Sequence, residues 1–388
     1  ARVFKTVADP YVGKLSLVKV TSGVLAPETA LYNANAEKAE KAGGIYIQRG
    51  KKQTQATKVV AGDICALAKL QTVATGNTLC DPSKPVKFED LDFPKPCISM
   101  AVYAKKAGEE DKIFSGLNRL MEEDPTIRVE KDVETTESLL SGLGELHLEV
   151  ISKKLAAKFG AEAVLQDPKI PYRESIRKKI DVQGRHKKQS GGHGQFGDVW
   201  IEFRPNDDGS PDFIFEDAVV GGVVPRNFIP AVEKGLRDNI KHGVLAGFPV
   251  VGLTAKLHDG SYHAVDSSEM AFKTAARIAF KKLIDASPVL LEPIYHVEVL
   301  VPDEYMGDVI GDMNKRRGRI AGMNQVDGQQ QVVAEVPQAE MFKYATDLRS
   351  MTQARGSFTM RFERYEEVPA SDAKKIIESA KREEEEEE

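Results

Sequence analysis

With 388 residues, the chain is long enough for two to four domains. A hydrophobic share of 41% is ordinary for a soluble globular protein, no stretch approaches the ~20 apolar residues of a membrane span, and nothing at the N-terminus reads as a signal, so the expected setting is cytoplasmic with no membrane partner. The net charge of −5 is carried by residues 383–388, all glutamate; without them the body is close to neutral, and contact with nucleic acid stays open.

Residues 1–88 alternate short apolar runs with turn signals and show no helical period, which predicts a small β-barrel. Pro82, Pro85, Pro94 and Pro96 then mark a linker. Cys65, Cys80 and Cys97 lack CxxC spacing and are odd in number, so they read as reduced, buried thiols. From Cys97 the order changes. A strand at 97–103 precedes a helix with Ile113, Leu117, Leu120 and Met121 on one face; strands near 127–129 and 135–140 follow. A second helix carries Leu148, Ile151, Leu155 and Phe159 and closes at Gly160, and 161–165 reads as a last strand. The sum is βαββαβ, a ferredoxin-like unit.

The middle of the chain holds two further helices. One carries Phe228, Val232, Leu236 and Ile240 and closes at Gly243. The other opens at Asp266, with Glu269 three residues on, and buries Phe272, Ala275, Ala276, Ala279 and Leu283. Between 293 and 367 the βαββαβ order recurs: a strand at 295–301, a helix face of Met306, Val309, Ile310 and Met313 ending at Gly318, and a type I′ hairpin at Asp327-Gly328. Met341, Ala345 and Leu348 stripe a second helix, 358–362 is a final strand, and the remainder reads as a helical or acidic tail, largely disordered.

The segment most informative about function is Arg185-His186-Lys187-Lys188-Gln189-Ser190-Gly191-Gly192-His193-Gly194-Gln195-Phe196-Gly197-Asp198. Gly192, Gly194 and Gly197 satisfy GxGxxG, but that fingerprint binds a dinucleotide only where a helix begins at the glycines. Here Val199, Ile201 and Phe203 alternate with Glu202 and Arg204, a period of two that predicts a strand. A flexible loop flanked by cations suits RNA phosphates and base edges instead; an ordinary surface loop is the competing reading. Ser261, Tyr262, His263 and Asp266 form a second polar loop before a helix N-terminus, readable either as an RNA contact or as a capped helix start. Lys315, Arg316, Arg317 and Arg319 gather at a helix end, where cations complement the dipole and also offer a phosphate-facing patch. His147, Ser141 and Cys97 lack the spacing of a catalytic triad, and neither HExxH, a Cys/His ligand pair nor a GxxxxGK[ST] loop is present. No catalytic, cofactor or metal site is expected.

Several motifs occur in one order across nearly the whole chain: Gly142 to Leu148, Gln189 to Gly197, Gly221-Gly222-Val223-Val224-Pro225, Ser261-Tyr262-His263 with Val265 to Ser268, and Asn314 to Gly318. In these the chain resembles bacterial translation elongation factor G. The resemblance implies a multidomain α+β protein: a β-barrel domain II at 1–88, ferredoxin-like domains III at 92–168 and V at 291–368, an S5-domain-2-like domain IV at 169–290, and a tail at 369–388. It also implies a monomer that binds the ribosome, meeting ribosomal RNA, tRNA and mRNA during translocation. The matching tip residues of domain IV are Gln189 to Gln195 and His263, and Lys315 to Arg319 lie in the domain that approaches large-subunit RNA. The family's GTPase domain, with its GTP and Mg, is expected to be missing from this chain. His193 stands where many members carry Arg, and the glutamate tail is unlike the main members. Both leave room for a paralogue acting in ribosome protection or recycling.

Overall fold

The computed structural model describes every residue except 10–12, 51, 190–193 and 388. Its buried apolar side chains fall into four separate clusters, taken here in chain order. The first is built from three sheets. Five strands run in the order Arg2–Asp9, Gly13–Lys19, Ile64–Ala68, Ile45–Arg49 and Lys52–Gln55; three more pair as Leu79–Cys80, Ala30–Asn33 and Lys38–Lys41; Val24–Leu25 pairs with Val59–Val60. None of these sheets closes, so the expected barrel is three open sheets around Val3, Val18, Leu31, Ile45, Leu67 and Leu79. The proline linker is strapped down rather than loose. Arg2 donates to Glu89 O (2.6 Å), Phe88 N–H to Thr78 Oγ1 (3.1 Å) and the Asn35 amide to Asp90 Oδ1 (2.6 Å).

The second cluster lies under a four-stranded antiparallel sheet in the order Arg128–Lys131, Ser138–Gly142, Ile98–Ala104, Ala163–Gln166. Helices α1 (Glu110–Glu123) and α2 (Glu145–Phe159) supply Ile113, Leu117, Leu120, Leu148, Ile151 and Leu155, the stripe read from the sequence. Gly160 ends α2 in the left-handed conformation, φ 63°.

In the middle, Ile180–Lys188, Gln195–Pro205 and Leu253–Ser261 are antiparallel neighbours, and Phe213–Asp217 runs parallel beside the last. Helices α3 (Ile229–Asn239) and α4 (Glu269–Lys281) cover one face. Val199, Ile201 and Phe203 point into that core, as the period of two predicts, while Trp200 lies on the open face, 37% exposed. Helix α3 stops at Asn239, short of Gly243, and α4 is capped by Ser268, not Asp266: Ser268 Oγ accepts from Ala271 N–H at 3.2 Å. Alanines at 271, 275, 276 and 279 give α4 a flat face, and glycines in the sheet let it settle there. A Cβ on Gly197 would stand 2.6 Å from Ala271 O, and one on Gly184 would overlap Ala275 O. This close approach, not phosphate binding, is what the last glycine of the GxGxxG segment serves.

The fourth cluster repeats the element order of the second. Its strands run Arg319–Val326, Gln329–Pro337, Pro288–Val301, Ser357–Glu367, with α5 (Met306–Lys315) and α6 (Tyr344–Met351) against them. Asp327 and Gly328, φ 50° and 78°, close the two-residue hairpin. Met341 precedes α6 but joins the same core. Strand Pro288–Val301 also pairs at its start with Arg173–Ile176, so the middle unit is joined to this sheet at both of its ends. Beside that junction the buried Glu174 carboxylate accepts N–H groups of Leu245 (2.8 Å), Ala246 (2.8 Å) and Phe248 (3.1 Å). The tail carries a helix, α7 (Ala370–Glu387), whose Ala, Lys, Arg and Glu are strong helix formers.

Two glycine substitutions separate these roles. Gly184→Ala is expected to lower stability by about 1–3 kcal/mol through overpacking against α4. Gly311→Ala, inside α5 with nothing within 4 Å of the new methyl, is expected to raise it by up to about 1 kcal/mol. Denaturant midpoints of the two variants check both signs.

Candidate nucleic-acid interface

The basic segment forms the end of a long hairpin. Ile180–Lys188 pairs with Gln195–Pro205 without interruption from Ile180↔Phe203 to Lys188↔Gln195, which carries the turn roughly 27 Å along the ladder. Leu253–Ser261 pairs on the other side of Gln195–Pro205, with Asp198 opposite Ser261, so the second polar loop emerges at the same end. Ser190, Gly191, Gly192 and His193 lie outside the described residues.

The two loops are tied together by short-range hydrogen bonds. Gly194 N–H donates to Asp266 Oδ1 (3.0 Å), Phe196 N–H to Asp266 O (2.8 Å), and the Ser267 hydroxyl to Phe196 O (3.0 Å). Within the second loop, His263 N–H donates to Ser267 Oγ (2.8 Å) and His263 Nδ1 accepts from Asp266 N–H (3.2 Å). The nearly buried Asp198 carboxylate receives the Ser261 hydroxyl (2.7 Å) and the Gln183 amide (2.8 Å), fixing where the second loop begins. Phe196 sits at the centre: the Arg185 guanidinium lies 5.6 Å from its ring and the His263 ring 6.4 Å away at 58°.

Around this centre the remaining residues divide. His186 Nε2 donates to Gln195 Oε1 at 2.9 Å, so both are engaged with each other across the hairpin. Lys187, Lys188, Gln189 and Tyr262 are exposed, and among the described residues no carboxylate reaches either lysine. The surface offers two free cations, an arginine laid on an aromatic ring, and an exposed tyrosine and histidine. Such a set can meet phosphates and stack on bases. The second loop does run into a capped helix start, with Ser268 as the cap. Phe196 and Ser267 were not among the candidate contact residues read from the sequence. The alternation that marks the strand carries no sign that Phe196 would bridge two loops.

The four cations near α5 behave differently. Arg316 pairs with Asp312 (2.7 Å) and Asp347 (2.5 Å), donates to Glu340 O (2.6 Å), and lies 5.1 Å from the Tyr344 ring. Arg317 grips Glu292 with two bonds (2.7 and 2.8 Å) and Glu340 with a third (3.1 Å); hydrogen bonding to Glu292 raises its pKa further above the usual guanidinium range. Arg319 pairs with Glu366 and Glu335 but keeps an exposed flank, and Lys315 is exposed. Arg316, Arg317 and Arg319 thus all have carboxylate partners within the fold, and Lys315 and Arg319 are the exposed members of the four.

The residues set aside as catalytic candidates are engaged structurally. His147 Nδ1 accepts from Leu143 N–H (3.2 Å) and its Nε2 donates to Asp124 (2.9 Å). Ser141 pairs with Ser99, and the Cys97 thiol, pushed up in pKa by burial, donates to Leu143 O. Among the described residues no cluster of three His, Cys, Asp or Glu could hold a metal.

Four family models match the chain in succession: Elongation factor G domain 2 at residues 1–93, Elongation Factor G, domain III at 93–167, Elongation factor G, domain IV at 168–287, and Elongation factor G C-terminus at 289–376. The crystal structure of a protein from Thermus thermophilus is similar, with a TM-score of 0.81 and 40% identity over 98% of this chain. This chain spans 57% of that protein's length.

The pairing near α5 gives a measurable contrast. Arg317→Ala leaves Glu292, 3% exposed, without its bidentate partner and is expected to cost about 3 kcal/mol of stability, read from chemical denaturation. Lys315→Ala is expected to leave stability within about 0.5 kcal/mol of the parent.

Proposed function

The chain belongs to the elongation factor G family, and from that premise we propose that it is the ribosome-binding part of a translational GTPase promoting tRNA–mRNA translocation. The proposed divisions are 1–88, 92–168, 169–290 and 291–368: a barrel-like domain II, ferredoxin-like domains III and V, and an S5-domain-2-like domain IV between them. The matched family models are those of domains other than the GTPase domain. On this reading GTP and Mg are held elsewhere in the full factor, and this chain supplies the contacts with ribosomal RNA, tRNA and mRNA as a cytoplasmic monomer. Among the described residues no helix is long and apolar enough to cross a membrane.

One observation carries the reading: among the described residues, Lys187 and Lys188 stand free at the end of a hairpin whose turn is tied to the His263 loop. A sheet end bearing unpaired cations and ring faces can meet RNA phosphates and bases, which cations neutralised by carboxylates, as in the Arg316–Arg317 network, cannot. Phosphate contacts of this kind release counterions and make affinity fall with salt.

Ribosome binding measured across a series of salt concentrations tests it. Lys187→Ala with Lys188→Ala is expected to weaken binding and to flatten the plot of log affinity against log salt by roughly one unit per lysine. Unaltered affinity and slope in the double variant would refute the RNA-facing role of the tip.

A further inference from the structure

We infer that Asp266 is a positioning residue that clamps the two tip loops into one body, an inference that rests on the RNA-facing reading of the tip. Its carboxylate is directed at the hairpin loop, with Oδ1 accepting from Gly194 N–H at 3.0 Å. The fit is close: a Cβ on Gly194 would stand 2.9 Å from Asp266 Cγ, 3.0 Å from Oδ2 and 3.2 Å from Oδ1, so the loop backbone lies flat against the carboxyl group. The same residue holds the next turn of chain through its backbone, since Asp266 O accepts from Phe196 N–H at 2.8 Å. Ser267 closes the ladder by donating to Phe196 O. Gly194 and Phe196 flank Gln195 at the returning limb of the turn, so the clamp grips the loop where it re-enters the sheet.

Its energetic logic is twofold. A carboxylate among groups meant for phosphate lowers affinity by like-charge repulsion unless its charge is engaged; here Gly194 N–H donates to Oδ1. A glycine-rich stretch of sequence is also entropically expensive to order, and a chain already held at Gly194 and Phe196 has less freedom to lose on binding. The clamp further fixes the line of Arg185, Phe196 and His263, because Phe196 is the residue it holds.

Three single variants of the full chain test this, read by hydrogen exchange of the 189–199 segment and by binding to purified ribosomes over a salt series. Asp266→Ala is expected to speed exchange and to weaken ribosome binding by about tenfold, the cost of re-ordering one or two residues, with the salt slope unchanged because no cation is lost. Asp266→Asn keeps an acceptor oxygen for Gly194 N–H and is expected to restore both protection and affinity. Gly194→Ala presses a methyl onto the carboxyl group and is expected to reproduce Asp266→Ala without touching the charge. Unchanged exchange in Asp266→Ala would overturn the clamp, as would tighter ribosome binding by both Asp266 variants, which would mark the carboxylate as a mere repeller of phosphate. The exchange arm needs no ribosome, so the clamp can stand while an unaltered salt slope in the lysine variants removes the RNA reading.

Discussion

A single strand, Pro288–Val301, holds the middle and last units of the molecule together. It pairs with Gln329–Pro337 and Ser357–Glu367 over most of its length and with Arg173–Ile176 at its start, so the sheet of the last unit continues into the base of the middle one. Around that junction Arg177 pairs with Glu367, Tyr365 OH donates to Pro171 O, and Arg173 lies over the Tyr365 ring while its guanidinium meets Glu134 of the second unit. Glu174 stitches the neighbouring 245–248 backbone to the same strand pair.

The chain uses its two kinds of cation differently. The arginines of the last unit form planar, bidentate pairs with Glu292 and Glu335, where a forked guanidinium matches a carboxylate. The lysines at the tip have no such partners among the described residues. In sequence the two clusters look alike, and part of their difference comes from distant carboxylates: Glu292 lies 25 residues from Arg317, and Asp347 lies 31 from Arg316.

Local pattern made much of the architecture legible. Period-two alternation placed Val199, Ile201 and Phe203 on the buried face, helical stripes located α1, α2, α4 and α5, and Asp327-Gly328 announced its own turn. What escaped was set by partners far along the chain. Short strands in the first unit gave no sign whether their sheets would close; the proline linker gave no sign of its anchors, because Arg2, Asn35 and Thr78 lie in another part of the sequence. At the tip, the two loops were found separately, but their joining through Phe196, Asp266 and Ser267 spans about seventy residues of chain and has no local signature.

The open face of the middle sheet has one more consequence. Trp200 is the chain's one tryptophan, and it sits partly exposed on the Gln195–Pro205 strand, opposite Gln183 and Asp259 and away from both helices. The intrinsic indole emission of the whole molecule therefore originates from one place, midway between the base and the loops. The fold carries a built-in optical reporter, sensitive to anything that dries or wets that face, with no other indole to dilute its signal.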